Sequence, residues 1–135
     1  MKQEKIKLKM LLVDDDEQTR MIISDLLDDT IIEVIESANG NEVLDIFIRN
    51  RAEIFLVLLD IWLPGCDGWQ IIKLIRQIDP VVPVIAISAA TPAEIIAHSA
   101  AAGFTDYMIK PLDLNRLRKM IMSYLETENL GNTST

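Results

Sequence analysis

The chain has a single cysteine, Cys66, in 135 residues. No internal disulfide framework can brace it, and a reducing compartment is the default. Cationic side chains are few: 13 Lys and Arg against 21 Asp and Glu leave a formal charge of −8. That balance argues against nucleic acid as a partner of this chain alone and favours a cation or a protein with a basic surface. Long hydrophobic runs are missing as well. The longest uncharged stretch, Pro80 to Ala93, is interrupted by three prolines and is shorter than a membrane span. The apolar run behind the charged N-terminus, Met10-Leu11-Leu12-Val13, is too short for a signal peptide. A cytoplasmic protein without a membrane partner is expected. The one histidine, His98, falls mid-helix with no second ligand type nearby and reads as solvated.

What the chain does have is a regular alternation. Residues 8–13, 31–35, 54–59, 81–87 and 104–109 read as strands. Between and after them lie helical patterns. Met21 to Leu27 carry the first, and Asn39 with Glu42 offers a capping box for the second. Asp67 with Gln70 caps a third, which is expected to bury Ile71, Leu74, Ile75 and Ile78. Thr91-Pro92-Ala93-Glu94 opens a fourth that ends near Gly103, and a fifth starts near Asp113. The fold class is therefore α/β, a doubly wound, five-stranded parallel sheet with five helices on both faces. Residues 1–7 form a lead-in, 8–127 one domain, and 128–135 a polar tail or the start of a linker.

Function in open parallel sheets sits just past the carboxyl ends of the strands. Asp14 and Asp15, Asp60, Ser88 and Lys110 all stand at such ends, so four distant stretches share one rim. Three carboxylates in a small pocket recruit a cation or raise one another's pKa. All-oxygen donors select a hard ion such as Mg²⁺, with Mn²⁺ as its substitute. An ammonium and a hydroxyl on the same rim complete a cradle for phosphoryl oxygens. One carboxylate then serves as nucleophile, and Asp60 is the better candidate because it stands alone at a central strand end.

Val13-Asp14-Asp15, Leu59-Asp60 with Leu63-Pro64 and Asp67-Gly68, Ile87-Ser88-Ala89, and Tyr107-Met108-Ile109-Lys110-Pro111 together resemble the receiver domain of two-component response regulators. The resemblance spans residues 8–125. It implies a flavodoxin-like strand order, 2-1-3-4-5, and a phosphorylation switch rather than an enzyme. Asp60 would be the phosphoacceptor, served by a histidine kinase or histidine phosphotransfer protein. Asp15, Asp60 and the Trp62 carbonyl would bind Mg²⁺, with Asp14 acting through water. Lys110, Ser88 and the Ala89 backbone would hold the phosphoryl group. Ser88 and Tyr107 would switch the face built from the fourth helix, fifth strand and fifth helix, which can also mediate a phosphorylation-linked dimer. Gly103 and Asp106 fit the family pattern. Thr19 and Ile22 would meet the kinase. Trp62 and Ala90 stand where the family tunes phosphoryl lifetime, and they imply slow self-dephosphorylation. A downstream protein or a fused output domain would read the switch.

Two rival readings stand beside this one. Asp14-Asp15-Asp16 superficially offers the Asp-x-Asp of haloacid-dehalogenase-like phosphatases, with Asp14 as nucleophile. A receiver-like scaffold that is never phosphorylated is the other. Plainer roles are expected for Asp16 as a helix-start acid, for Trp69 packed at a helix start, for Cys66 as an inert thiol and for the four early lysines as solvated charges.

Overall fold

The computed structural model describes residues 7–65, 67–89 and 100–133, with side chains through residue 128. The strands are β1 (Lys9–Val13), β2 (Glu33–Ser37), β3 (Ile54–Asp60), β4 (Val84–Ser88) and β5 (Asp106–Ile109). All pair in parallel, in the order β2-β1-β3-β4-β5. The helices are α1 (Glu17–Leu26), α2 (Val43–Asn50), α3 (Gly68–Ile78) and a C-terminal helix (Leu114–Thr133). Residues 100–102 are helical and end at Gly103, whose φ of 109° is the left-handed turn expected there. Most of the expected fourth helix, with Ala90 and His98, lies outside the described residues, as does Cys66.

Two hydrophobic layers cover the sheet. Leu11, Val13, Val57, Leu59, Val84 and Ala86 face Val43 and Phe47 of α2 and Ile71, Ile72 and Ile75 of α3. Met10, Leu12, Leu58, Ile85, Ile87 and Met108 face Ile23 and Leu27 at α1 and Leu117, Ile121 and Leu125 of the C-terminal helix. The central strand β3 is buried from end to end, which is why it reads as a continuous apolar run. A bulge lies at its start: Lys9 pairs with Ile54 but Met10 with Leu56, so Phe55 is an extra residue.

Several boundaries differ from expectation, each for a local reason. β2 starts at Glu33, because Thr30 Oγ1 donates to the Leu27 carbonyl and accepts from Ile32 N, keeping exposed Ile31 in a turn. β4 starts at Val84, because Asp79 Oδ1 accepts from Val81 N and Val82 N. β5 starts at Asp106, because the Thr105 hydroxyl is spent on Val84 N. The Asn39–Glu42 box does not form: Asn39 Oδ1 accepts from Asn41 N, Ser37 Oγ donates to Glu42, and α2 begins at Val43. In α3 Ile72 is buried and Leu74 is exposed, so the inner face of that helix is set by Ile71, Ile72 and Ile75. Lys9 is not a solvated charge but pairs with Glu53 at 2.5 Å and Glu33 at 3.4 Å. The C-terminal helix runs past residue 127, through residues expected to leave the fold as a polar tail. Among the described residues no helix is long and apolar enough to cross a membrane.

Candidate functional site

The site forms where β1 and β3 end together. Val13 pairs with Leu59, so the next residues, Asp14 and Asp60, come level across the sheet. Asp14 N donates to the Ser37 carbonyl at 3.1 Å, the last link to β2. Its Oδ1 accepts from Asp16 N at 2.9 Å. Asp16 caps α1 as expected, accepting from Gln18 N at 3.2 Å and Thr19 Oγ1 at 2.7 Å. Asp14 is fully buried while Asp15 is exposed.

Asp60 is 4% exposed. Its Oδ1 accepts from Trp62 N at 3.1 Å, and its Oδ2 meets Lys110 Nζ at 3.2 Å. The same ammonium lies 2.9 Å from Asp14 Oδ2, so one half-buried cation serves two buried carboxylates. Lys110 arrives there because its backbone N donates to the Ser88 carbonyl at 2.8 Å, carrying the β4–β5 pairing one step past the strand ends. Burial alone would lower the Lys110 pKa, but the contact with Asp14 and the charge of Asp60 outweigh it and raise the value. The ammonium therefore stays charged. For Asp60 burial dominates, and with the Asp14 charge it lifts the carboxyl to about 6 against the pull of Lys110 and the Trp62 amide.

The residues present fit a hard divalent cation. Asp14, Asp15 and Asp60 each offer a carboxylate oxygen, and these lie within 4.8 Å of one another. Asp14 Oδ2 is buried without a hydrogen bond, its ammonium neighbour standing off the hydrogen-bonding direction. A buried acceptor left in that state is unusual and suits an added cation or its water.

The remaining expected residues gather around this centre. Ser88 is buried at the end of β4, and Ala89 is exposed beside it. Tyr107 is half-buried against the α2–α3 layer, and its N donates to Asp106 Oδ1 at 2.8 Å. Trp62 is 58% exposed on the loop after Asp60. Trp69 packs as expected, its ring edge-on to Phe104 with centroids 5.7 Å apart. Thr19 and Ile22 line a cavity of about 260 Å³ with Lys110, Pro111, Leu112 and Leu114, so α1 and the segment after β5 share one hollow beside the site. Two contributions go beyond the roles expected from the sequence. Leu112 and Leu114 complete that hollow, and their place just after Lys110-Pro111 was the available signal. Gly68 closes the loop after Asp60, its N donating to the Ile61 carbonyl at 2.7 Å.

Comparison with known proteins agrees with this fold. The family model described as the response regulator receiver domain matches residues 10–122. The sporulation initiation phosphotransferase F of Bacillus subtilis is 32% identical over 117 residues, which cover 87% of this chain and 93% of that protein. The transcriptional regulatory protein ZraR of Salmonella typhimurium is 32% identical over 116 residues, 85% of this chain but 26% of that longer protein. Among solved structures, a response regulator receiver domain protein from Clostridium thermocellum superposes with a TM-score of 0.81 at 26% identity, covering 90% of this chain and 97% of that one.

Proposed function

Because this chain belongs to the response regulator receiver domain family of two-component systems, we propose that it is a switch operated by phosphorylation of Asp60. The donor is the phosphohistidine of a histidine kinase or a histidine phosphotransfer protein. The observation that carries the reading is the Lys110 ammonium held between buried Asp14 and Asp60, at 2.9 and 3.2 Å. Bound Mg²⁺ would neutralise charge on the phosphoryl oxygens, held by Asp15, Asp60 and the Trp62 carbonyl, with Asp14 through water.

An Asp60 carboxylate oxygen attacks the phosphorus. The P–N bond to the donor imidazole breaks, and the imidazole nitrogen keeps the electron pair. Lys110 exchanges its Asp60 contact for a phosphoryl oxygen. The Ser88 hydroxyl and the Ala89 N–H donate to the other oxygens. Movement of Ser88 toward the phosphoryl group lets Tyr107 turn inward and alters the face around β5 and the C-terminal helix, where a downstream protein, a fused output domain or a second copy would read it. The donor protein docks at the hollow lined by Thr19 and Ile22, which opens beside Lys110. The setting is cytoplasmic.

The phosphatase reading has less support. Its nucleophile would be Asp14, whose Oδ1 is engaged by the Asp16 amide, and its second acid would be Asp16, which is engaged as the α1 cap. Incubation with Mg²⁺ and acetyl phosphate, followed by intact mass, tests the switch. Wild type is expected to gain one phosphoryl group and Asp60→Asn none, whereas the phosphatase reading predicts that Asp14→Asn is the variant that loses it. No gain on wild type, or equal gain on Asp60→Asn, removes the proposal.

Exposed, bulky Trp62 also bears on timing, together with Ala90, whose side chain cannot orient a water. The aspartyl phosphate is expected to outlast the removal of donor by minutes. Complete decay within seconds contradicts this.

A further inference from the structure

We propose that Arg20 is a positioning residue for the acidic pair Asp14 and Asp15, a role that rests on the Mg²⁺ reading above. β1 ends at Val13, and the Asp14 amide makes the last link to β2. The Asp14 carbonyl lies past the end of β1. Arg20 Nη1 donates to it at 2.7 Å from α1. The same guanidinium donates through Nε to Glu36 Oε1 on β2 at 3.1 Å, and Ser24 Oγ donates to Glu36 Oε2 at 3.4 Å. The Arg20 side chain is only 16% exposed. It is thus a strut with three fixed points: the peptide after Asp14, the strand β2 and its own helix.

The strut matters because of what that peptide carries. Rotation of the Asp14–Asp15 peptide moves the Asp14 carbonyl at one end and re-aims the Asp15 side chain at the other. Among the described residues no hydrogen bond holds the Asp15 carboxylate itself, so the backbone that carries it decides where it can reach. Arg20 fixes that backbone from one side, and the Asp16 amide on Asp14 Oδ1 fixes it from the other. Partners that orient metal-binding groups in this way are worth about 10- to 100-fold in affinity. A planar fork suits the task because it meets a carbonyl and a carboxylate together in fixed geometry, whereas an ammonium is a point charge.

Calorimetric Mg²⁺ titration of wild type, Arg20→Met, Arg20→Lys and Glu36→Gln tests this, alongside thermal midpoints and amide exchange at Asp16 in EDTA. Arg20→Met is expected to weaken Mg²⁺ binding about 10-fold. Arg20→Lys should fall close to it, and Glu36→Gln should show a smaller loss. The Asp16 amide should exchange faster in Arg20→Met before any metal is added. Lower midpoints with unchanged Mg²⁺ affinity would mean that Arg20 only stabilises the fold and would overturn the proposal. Wild-type affinity in Arg20→Lys would reduce the effect to charge and overturn it as well. If Arg20→Met does not fold, wild-type affinity in Arg20→Lys remains the overturning result. Failure of wild type to bind Mg²⁺ is a separate outcome: it rejects the metal reading beneath, and this role with it.

Discussion

In Mg²⁺-free buffer at pH 7, Asp60→Asn is expected to be about 2 kcal/mol more stable than wild type. The carboxyl of Asp60 stands at about 6 in the folded protein against an ordinary 3.8, first through burial and then through the charge of Asp14. A folded value above the unfolded one means that the folded protein holds the proton more tightly. The ionised form therefore costs stability. That cost is absent below the unfolded value, grows as pH rises through the window from 3.8 to about 6, and is complete above it. A shift of this size corresponds to roughly 3 kcal/mol, and residual solvent screening together with the lost Lys110 contact brings it to about 2. Urea melts of both proteins in EDTA at pH 4 and pH 7 check the sign: the advantage of Asp60→Asn should be clear at pH 7 and nearly gone at pH 4. Adding Mg²⁺ at pH 7 should shrink the advantage, because a ligand that the folded wild type binds more tightly stabilises it more. An advantage that does not vary with pH would falsify the argument.

Gly68→Ala is expected to cost about 3 kcal/mol and to slow phosphorylation of Asp60 at the same time. A Cβ at this position would lie 2.6 Å from Ile61 Cα and 2.8 Å from the Asp60 carbonyl oxygen. Both are main-chain atoms, so no side chain can turn aside to make room. Relief requires α3 to back away from the end of β3. That movement strains the hydrogen bond from Gly68 N to the Ile61 carbonyl and shifts the peptide that carries Asp60. Denaturant melts measure the first effect and acetyl phosphate labelling the second. A variant that loses stability yet labels at the wild-type rate would separate the helix contact from the site and contradict the coupling.

How much of this was legible in the chain differs between its parts. The acids Asp14, Asp15 and Asp60 stood out because buried strands end abruptly in charge, and that contrast is a one-dimensional signal. The order of the strands is not, and it came from the likeness of four motifs to a family. Strand starts were misread where a side chain imitates the backbone. Thr30, Asp79 and Thr105 each take up an amide that an extended segment would have used, and nothing in the apolar pattern announces that. The failed box at Asn39 has a related cause, since Ser37 competes for Glu42 across the turn. Arg20 was invisible for a different reason. Its partners are the carbonyl of Asp14 and a carboxylate on β2, and a contact to main chain leaves no trace in residue types.

The bulge at Phe55 has a consequence for the site at the other end of its strand. Counted from the rung that joins Lys9 to Ile54, β3 reaches its acid one residue later than β1 does. In an unbroken ladder Asp60 would overshoot Asp14 by one residue's rise, about 3.3 Å, and the pleat would turn its side chain to the opposite face of the sheet. The surplus is taken up as slack at the foot of the strand, far from the rim. The upper rungs then run in step and deliver the two carboxylates at the same height. A length mismatch between two segments is thus absorbed at the end of the strand away from the acids.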